Sequence, residues 1–327
     1  VEEPPVELLE HEPLRHRHLR SGRIPRAGDP VTGRVRLLVN GDVAFGVCRP
    51  AERESGFYKN ADGDDLVYVH EGGGRLESMF GPLEFRAGDY LVIPRGVIHR
   101  FVVEGDATLV TIESASGMEI PRRYRNEYGQ LLEHAPYCER DVRVPRELET
   151  HDERGTFRVR IRARGVVTVY EYPFHPFDVV GWDGFLYPWA ISIHDFEPIT
   201  KSIHAPPPAH QMFEAHSLVV CSFVPRMLDY HPEAVPIPYN HSNLDSDEVL
   251  FYCNDQFGSR KGIEVGSITL HPSGLPHGPQ PGAVEASLGK TRTEELAVML
   301  DTFRPLQMTR AAAEIEDEAY SWSWKTT

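Results

Sequence analysis

Two twelve-residue segments carry the same chemistry-bearing spacing. Gly266 to His277 reads GSITLHPSGLPH, and Gly88 to His99 reads GDYLVIPRGVIH. Each sets a Gly, a Pro and a second Gly eleven, five and three residues before a terminal His. Upstream of His277 stands NHSNLDSDEVLFY, which adds His241 and Glu248. Two imidazoles and one carboxylate form a set that holds non-haem Fe(II) and leaves coordination positions open for substrate and O2. Asp247 is a rival ligand, because successive strand residues point to opposite faces and only one of the two acids can face the ion.

The spacing G-x5-P-x-G-x-x-H resembles the second half of the cupin metal pattern, a strand, a tight turn and a His aimed into a small β-barrel. Cupins usually supply H-x-H-x(3,4)-E upstream; here the second His is Asn243. The resemblance implies His241, Glu248 and His277 as the surviving ligands, with Fe(II) the favoured metal and Mn(II) suited to similar donors. A third His would have pointed towards Mn or Ni. The first segment retains His99, but FYKNADGDDLVYV places Asn60, Asp62 and Asp65 where its partners would stand. A lone imidazole is a poor iron site, so this half reads as structural.

Elements able to position these residues are short strands. VRLLVNGDVAFGVCRP, DLVYVHEGG, DYLVIP, HRFVVEG and ATLVTIES are β-branched or aromatic runs broken by Gly, Pro and Asp. A second series follows in FRVRIRARGVVTVYEYP, SLVVCSFVPRML, EVLFYC, GSITLHP and ELAVMLDTF. Helical periodicity is confined to TRAAAEIEDEAY near the C-terminus. The expected fold is all-β: a double cupin of two jelly-roll-like barrels with a short C-terminal helix. Its expected divisions are an N-terminal arm at 1–35, a first barrel without a complete metal site at 36–120, a charged connection at 121–156, and a second barrel with the iron site and tail at 157–327.

Bulk properties narrow the classes. The chain has 327 residues and a net charge of -15, which argues against nucleic acid as a partner. No apolar run approaches the roughly 20 residues of a membrane span, and the N-terminus lacks the apolar stretch of a signal peptide. Four cysteines without C-x-x-C spacing exclude a thiolate zinc site and suggest a reducing compartment. The cytoplasm is the expected location.

Several further residues are weighed on pattern alone. His271 lies six residues before His277, an even offset that would turn both inward on an extended chain. His204 lies in the Pro-rich TKSIHAPPPAH. Tyr239 is two residues before His241 and would share its strand face. Trp182, Tyr187 and Trp189 in GWDGFLYPW could line an aromatic pocket or fill core. His16 and His18, in RHRHLR, read as a solvated arm.

With these residues in view, the chain resembles the homogentisate 1,2-dioxygenase family from about Leu38 to Leu306. The likeness runs through GFYKNADGDDLVYV, HPFDVVGWDGFLYPWAISIHDF, IPYNHSN and LHPSGLPHGP. It implies iron on His241, Glu248 and His277, with His204 binding or deprotonating a substrate hydroxyl and His271 assisting proton movement. It further implies ring opening of homogentisate (2,5-dihydroxyphenylacetate) to maleylacetoacetate with both atoms of O2 incorporated, in a homo-oligomer of trimers or paired trimers. Better-known members have one residue fewer between the first His and the Glu. They also anchor the substrate carboxylate with a Tyr and a Lys, whereas this chain reads CNDQFGSRKG there, leaving Arg260 or Lys261 to supply the charge. Alternatives are another hydroxy-aromatic acid such as gentisate as substrate, or a non-catalytic ligand-binding bicupin.

Overall fold

The computed structural model describes residues 6–179, 186–237, 239–260 and 262–325. The chain divides into two compact units. One comprises Val1–Leu8, Ile24–Met118 and Cys138–Asp195; the other comprises Leu9–Arg23, Glu119–Tyr137 and Phe196–Thr327. Both are built of β-strands, and the two α-helices among the described residues, Ala283–Ser287 and Arg310–Glu314, are five residues each. The latter begins the helix expected at the C-terminus, capped by the Thr309 side chain on the Ala312 amide. No described helix is long and apolar enough to cross a membrane.

These divisions differ from the sequence boundaries: the expected connection 121–156 splits, Glu119–Tyr137 going to the second unit and the chain from Cys138 to the first. The hairpin Arg154–Ala163 and Val166–Phe174 groups with the first unit, where Arg154–Ala163 runs parallel to Phe57–Asn60. The expected N-terminal arm, in turn, supplies strand Arg17–Arg20 to the second unit's sheet. Local pattern shows that a strand exists; it does not show which distant edge will accept its hydrogen bonds.

The second unit's sheet is antiparallel, in the order Arg17–Arg20, Ser267–His271, Asp247–Tyr252, Ala297–Thr302, Leu218–Phe223, Gln211–Ala215. All six residues of Asp247–Tyr252 are buried, so both faces of this central strand are covered. Period-two alternation sends Glu248, Leu250 and Tyr252 to one side and Asp247, Val249 and Phe251 to the other. Leu250 and Tyr252 pack with Cys221 and Met299, and with Phe223, Phe257 and Ile263 at the margin. That apolar cluster lies beside Glu248 and fixes the strand's register, because a one-residue slip would exchange the faces.

In the first unit, Asp64–Ser78 pairs with Gly81–Arg86, Asp89–Ile93 and His99–Ser114. Its core gathers Tyr58, Val67, Leu76, Phe85, Leu91, Phe101 and Leu109, among others.

The two units repeat one another at the level of single hydrogen bonds. Asp64 accepts from the Arg95 and Met118 amides, each at 2.8 Å. Asp247 accepts from the Ser273 and Leu306 amides, each at 2.8 Å. Gly96 donates its N–H to the Asn60 carbonyl at 2.7 Å, and Gly274 donates to that of Asn243 at 2.6 Å. Gly274 has φ +73, a conformation open to Gly at little cost, and it allows the turn that swings His277 back.

Candidate metal centre

His241, Glu248 and His277 converge in the second unit. One ligand atom from each lies within 4.8 Å of the others. Glu248 arrives from its strand and His277 from the turn after Pro272. His241 forms an isolated bridge with His277, their backbones exchanging hydrogen bonds of 2.8 and 2.7 Å. The imidazole centroids of His241 and His277 stand 4.4 Å apart. Glu248 Oε1 is 3.6 Å from His277 Nε2. Asp247 points elsewhere, since both its oxygens hold backbone amides.

The hydrogen bonds assign the tautomers. His241 Nδ1–H donates to the Tyr239 carbonyl at 2.9 Å, and His277 Nδ1–H donates to that of Leu275 at 3.2 Å. Each ring is thus tethered to the carbonyl two residues back, and its Nε2 lone pair is left for another partner. His277 Nε2 is buried and has no hydrogen-bond partner. A buried acceptor without a partner is costly, and a divalent cation held by Nε2 of both rings and the Glu248 carboxylate would satisfy it. The donor set fits Fe(II), with Mn(II) its nearest competitor.

His271 braces Glu248. Fully buried, it donates Nδ1–H to Glu248 Oε1 at 2.7 Å, and its Nε2 accepts from the Tyr320 hydroxyl at 3.3 Å. Its ring stacks on His277, centroids 4.4 Å apart at 19°. Burial pushes the His271 pKa down to about 3, outweighing the pull of Glu248. Burial alone would raise Glu248, but the hydrogen bond from His271 and the nearby His277 imidazole hold it well below its ordinary value. The pair is therefore a carboxylate receiving a proton-bearing but neutral imidazole, an arrangement that orients a metal ligand.

His16 and His18 are not solvated. Strand Arg17–Arg20 lies along Ser267–His271, burying His18 against Ser267 Oγ at 2.8 Å. The His16 ring stands 5.6 Å from His271, 6.2 Å from His277 and 4.9 Å from Trp324. Burial, then the charge of His277, lowers His16 to about 4, so it stays neutral behind the ligands. The charged composition of RHRHLR hid this, because Arg17 spends its charge on Glu12 and Glu316.

A cavity of about 700 Å³ opens in front of Glu248 and His241. Phe223, Leu250, Phe257 and Met299 give it apolar walls, with Arg260 and Asp301 among its polar groups. Arg260 Nη1 donates to the Gly278 carbonyl at 2.6 Å, and its guanidinium lies over the Trp324 ring at 5.9 Å. No carboxylate lies within ion-pair distance of it among the described residues, and its Nε has no partner. Lys261 lies outside the described residues.

His204 and Tyr239 also line this cavity, and both are exposed. Their rings are 5.4 Å apart, and Tyr239 lies 5.8 Å from His241. Tyr239 reaches its neighbours from irregular chain rather than from a strand face, so the parity argument that nominated it does not hold. Trp182 lies outside the described residues. Tyr187 and Trp189 belong to the first unit, where Trp189 pairs with Val92.

Asp301 escaped pattern reading, because ELAVMLDTF looks like an ordinary strand ending in a turn acid. It stands directly opposite Glu248 in register. Burial, then the charges of Glu248 and Asp245, raises its pKa well above the ordinary carboxyl value.

The matching stations of the first unit are Tyr58, Asn60, Asp65 and His99. Tyr58 pairs with His99 as His241 pairs with His277. His99 Nδ1–H donates to the Val97 carbonyl at 3.0 Å, and its Nε2 lacks a partner. Arg34 occupies the acid side of this station, 2.7 Å from Asp65 and 3.3 Å from Glu113. A separate group in the same unit, His151, Glu153 and His175, also brings ligand atoms together. There the imidazoles stack face to face at 3.9 Å, and His175 Nδ1 accepts from the Phe177 amide at 3.2 Å. That bond puts the proton on Nε2, and parallel stacked rings cannot aim in-plane lone pairs at one ion.

An all-β double repeat with such a site defines a double cupin enzyme of the dioxygenase kind. A family described as homogentisate 1,2-dioxygenase N-terminal matches residues 43–193. A putative dioxygenase of Saccharolobus solfataricus is 45% identical over 316 residues, 96% of this chain and 82% of that protein. Homogentisate 1,2-dioxygenase of Rhizobium etli is 26% identical over 279 residues, covering 80% of this chain but 60% of that protein. Among solved structures, a cupin 2 conserved barrel protein from Leptotrichia buccalis aligns with a TM-score of 0.40 and 13% identity, over 88% of this chain and 96% of that one. Oxalate decarboxylase of Bacillus subtilis aligns with a TM-score of 0.41 and 13% identity, over 90% and 79%. The chain belongs to the homogentisate 1,2-dioxygenase family.

Proposed function

We propose that the chain is an Fe(II)-dependent ring-cleaving dioxygenase acting on a hydroquinone carboxylate, with homogentisate the substrate and maleylacetoacetate the product. The observation that carries this reading is the buried, unpartnered Nε2 of His277, grouped with His241 and Glu248 at the head of a substrate-sized cavity. Ferrous iron, when bound, supplies the electron path to O2 that ring opening needs. The protein's own residues do the rest. His241, Glu248 and His277 hold the metal, and His271 keeps the Glu248 carboxylate aimed. Arg260 receives the substrate carboxylate, as no acid among the described residues stands within ion-pair distance of it and its Nε is unpartnered. His204, on the cavity wall beside Tyr239, takes the proton of a substrate hydroxyl. Tyr239 packs on the ring, and Lys261 adds positive charge to the anchoring loop. The same resemblance supports a cytoplasmic homo-oligomer of trimers or paired trimers.

A second substrate reading has one observation behind it. Arg260, held on the Gly278 carbonyl at 2.6 Å, stands where the resemblance implies a Tyr and Lys anchor, and this altered anchor motivates another hydroxy-aromatic acid such as gentisate. Anaerobic metal analysis followed by O2 uptake tests both readings. One iron per chain and O2 consumption with homogentisate, or faster with gentisate, supports the respective substrate. Iron binding with no O2 uptake on any para-dihydroxy aromatic acid would overturn the enzymatic reading.

A further inference from the structure

Asp301 stands across from Glu248 on the neighbouring strand, and directly opposed residues of paired strands project to the same face. Both carboxyls accordingly line the one cavity. Asp301 Oδ1 is buried and has no hydrogen-bond partner. It is not among the three residues whose ligand atoms cluster, so the metal does not account for it.

The internal repeat shows what this station does when it is satisfied from within. In the first unit, Asp65 pairs in register with Glu113 just as Glu248 pairs with Asp301. There Glu113 is consumed by Arg34, Arg36 and Arg162. In the second unit no Arg or Lys pairs with Asp301 among the described residues, and the space in front of it is the cavity. The difference between the two stations is that one is closed by side chains and the other waits for something that enters.

We propose that Asp301 is a substrate-binding residue whose Oδ1 accepts a hydrogen bond from a ring hydroxyl or amino group, the polar substituent that the metal does not take. This rests on the ring-cleaving reading above and adds a requirement to it. The ring must carry a second donor group besides its metal-binding hydroxyl and its carboxylate. A site built to hydrogen-bond a substituent discriminates strongly against the analogue that lacks it, because the buried group is then left unpaired.

The test uses Fe(II)-loaded protein kept anaerobic and titrated calorimetrically with 2,5-dihydroxyphenylacetate and with 2-hydroxyphenylacetate. The wild type is expected to prefer the dihydroxy acid by about 10-fold or more. Asp301→Ala is expected to bring the two affinities within about threefold, with iron stoichiometry and affinity for the monohydroxy acid unchanged. Asp301→Asn keeps the volume and an acceptor oxygen and guards against misfolding; it should keep part of the preference that Asp301→Ala loses, while melting as the wild type does. The inference is overturned if Asp301→Ala keeps the full preference, weakens both ligands equally or loses iron, or if the wild type binds neither ligand. Aerobic O2 uptake is read separately. Uptake without an Asp301-dependent preference removes this inference alone, whereas preference without uptake supports the contact and removes the ring-opening reading.

Discussion

The Arg34 guanidinium lies 2.7 Å from Asp65, the residue that occupies in the first unit the station of Glu248 in the second. Glu248 looks out on imidazoles and a cavity; Asp65 looks at a cation already attached to the chain. Arg34 also reaches Glu113 and lies over the Tyr58 ring at 5.7 Å. Tyr58 itself replaces the imidazole that His241 supplies in the other unit.

Removing that cation leaves Asp65 and Glu113 buried together, their side chains 2% and 5% exposed. Breaking a buried pair from one side costs about 3–5 kcal/mol. Arg34→Met should lower unfolding stability by roughly that amount in urea titrations, while iron content per folded chain stays at the wild-type value. A drop of under about 1 kcal/mol would show that the cluster is not a structural centre.

The metal ligands predict a different signature. His277→Ala and Glu248→Ala should lose iron, and with it the stabilisation that a bound ion gives, about 2.7 kcal/mol when free metal is a hundredfold above Kd. Thermal melts with and without chelator read this directly. The wild type should shift and the variants should not; an equal chelator response in all three would place the ion elsewhere.

Arg260 should act on substrate affinity rather than on the metal. Arg260→Met is expected to raise KM for a ring acid by about 10-fold or more, with a smaller change in kcat and no loss of iron, as for a contact made equally in ground and transition states. Arg260→Lys should rescue only partly, because a point charge does not reproduce the guanidinium's hold on the Gly278 carbonyl. Full activity in Arg260→Met would remove the anchor.

His99 gives a pH prediction independent of the metal. Burial lowers it from 6.5 to about 4, so the folded unit holds it neutral where the unfolded chain would charge it. Below pH 6.5 the unfolded state binds more protons, and stability is lost as pH falls from 6.5 towards 4. Between pH 7.5 and 5 the loss from this group is about 2 kcal/mol. Urea midpoints of the wild type should fall more steeply across that window than those of His99→Gln. Parallel pH profiles would contradict it.

Much of the site was legible because its geometry is local. The Gly-Pro-Gly spacing that ends at His99 and His277 encodes a strand and turn within twelve residues; strand parity left Asp247 and Glu248 as rivals, and the cupin spacing favoured Glu248. His271 was readable for the same reason. What stayed hidden depends on pairing across long separations. His16 reaches the ligands because Arg17–Arg20 adds to a strand some 250 residues away. Asp301 matters only because its strand pairs with that of Glu248 in one register. Residues 157–163 looked like the opening strand of the second barrel, yet they run beside Phe57–Asn60 in the first unit. A strand's hydrophobic pattern states that it will be paired and is silent on the partner.

The carbonyl tethers on His241 and His277 bear on how the centre is charged with its cofactor. Each ring is held by one hydrogen bond to a carbonyl of its own chain, at 2.9 and 3.2 Å, so coordination has less torsional freedom left to remove. Loading speed then depends on how fast the incoming ion sheds its hydration shell. Reconstitution after stripping should need neither a chaperone nor a refolding step.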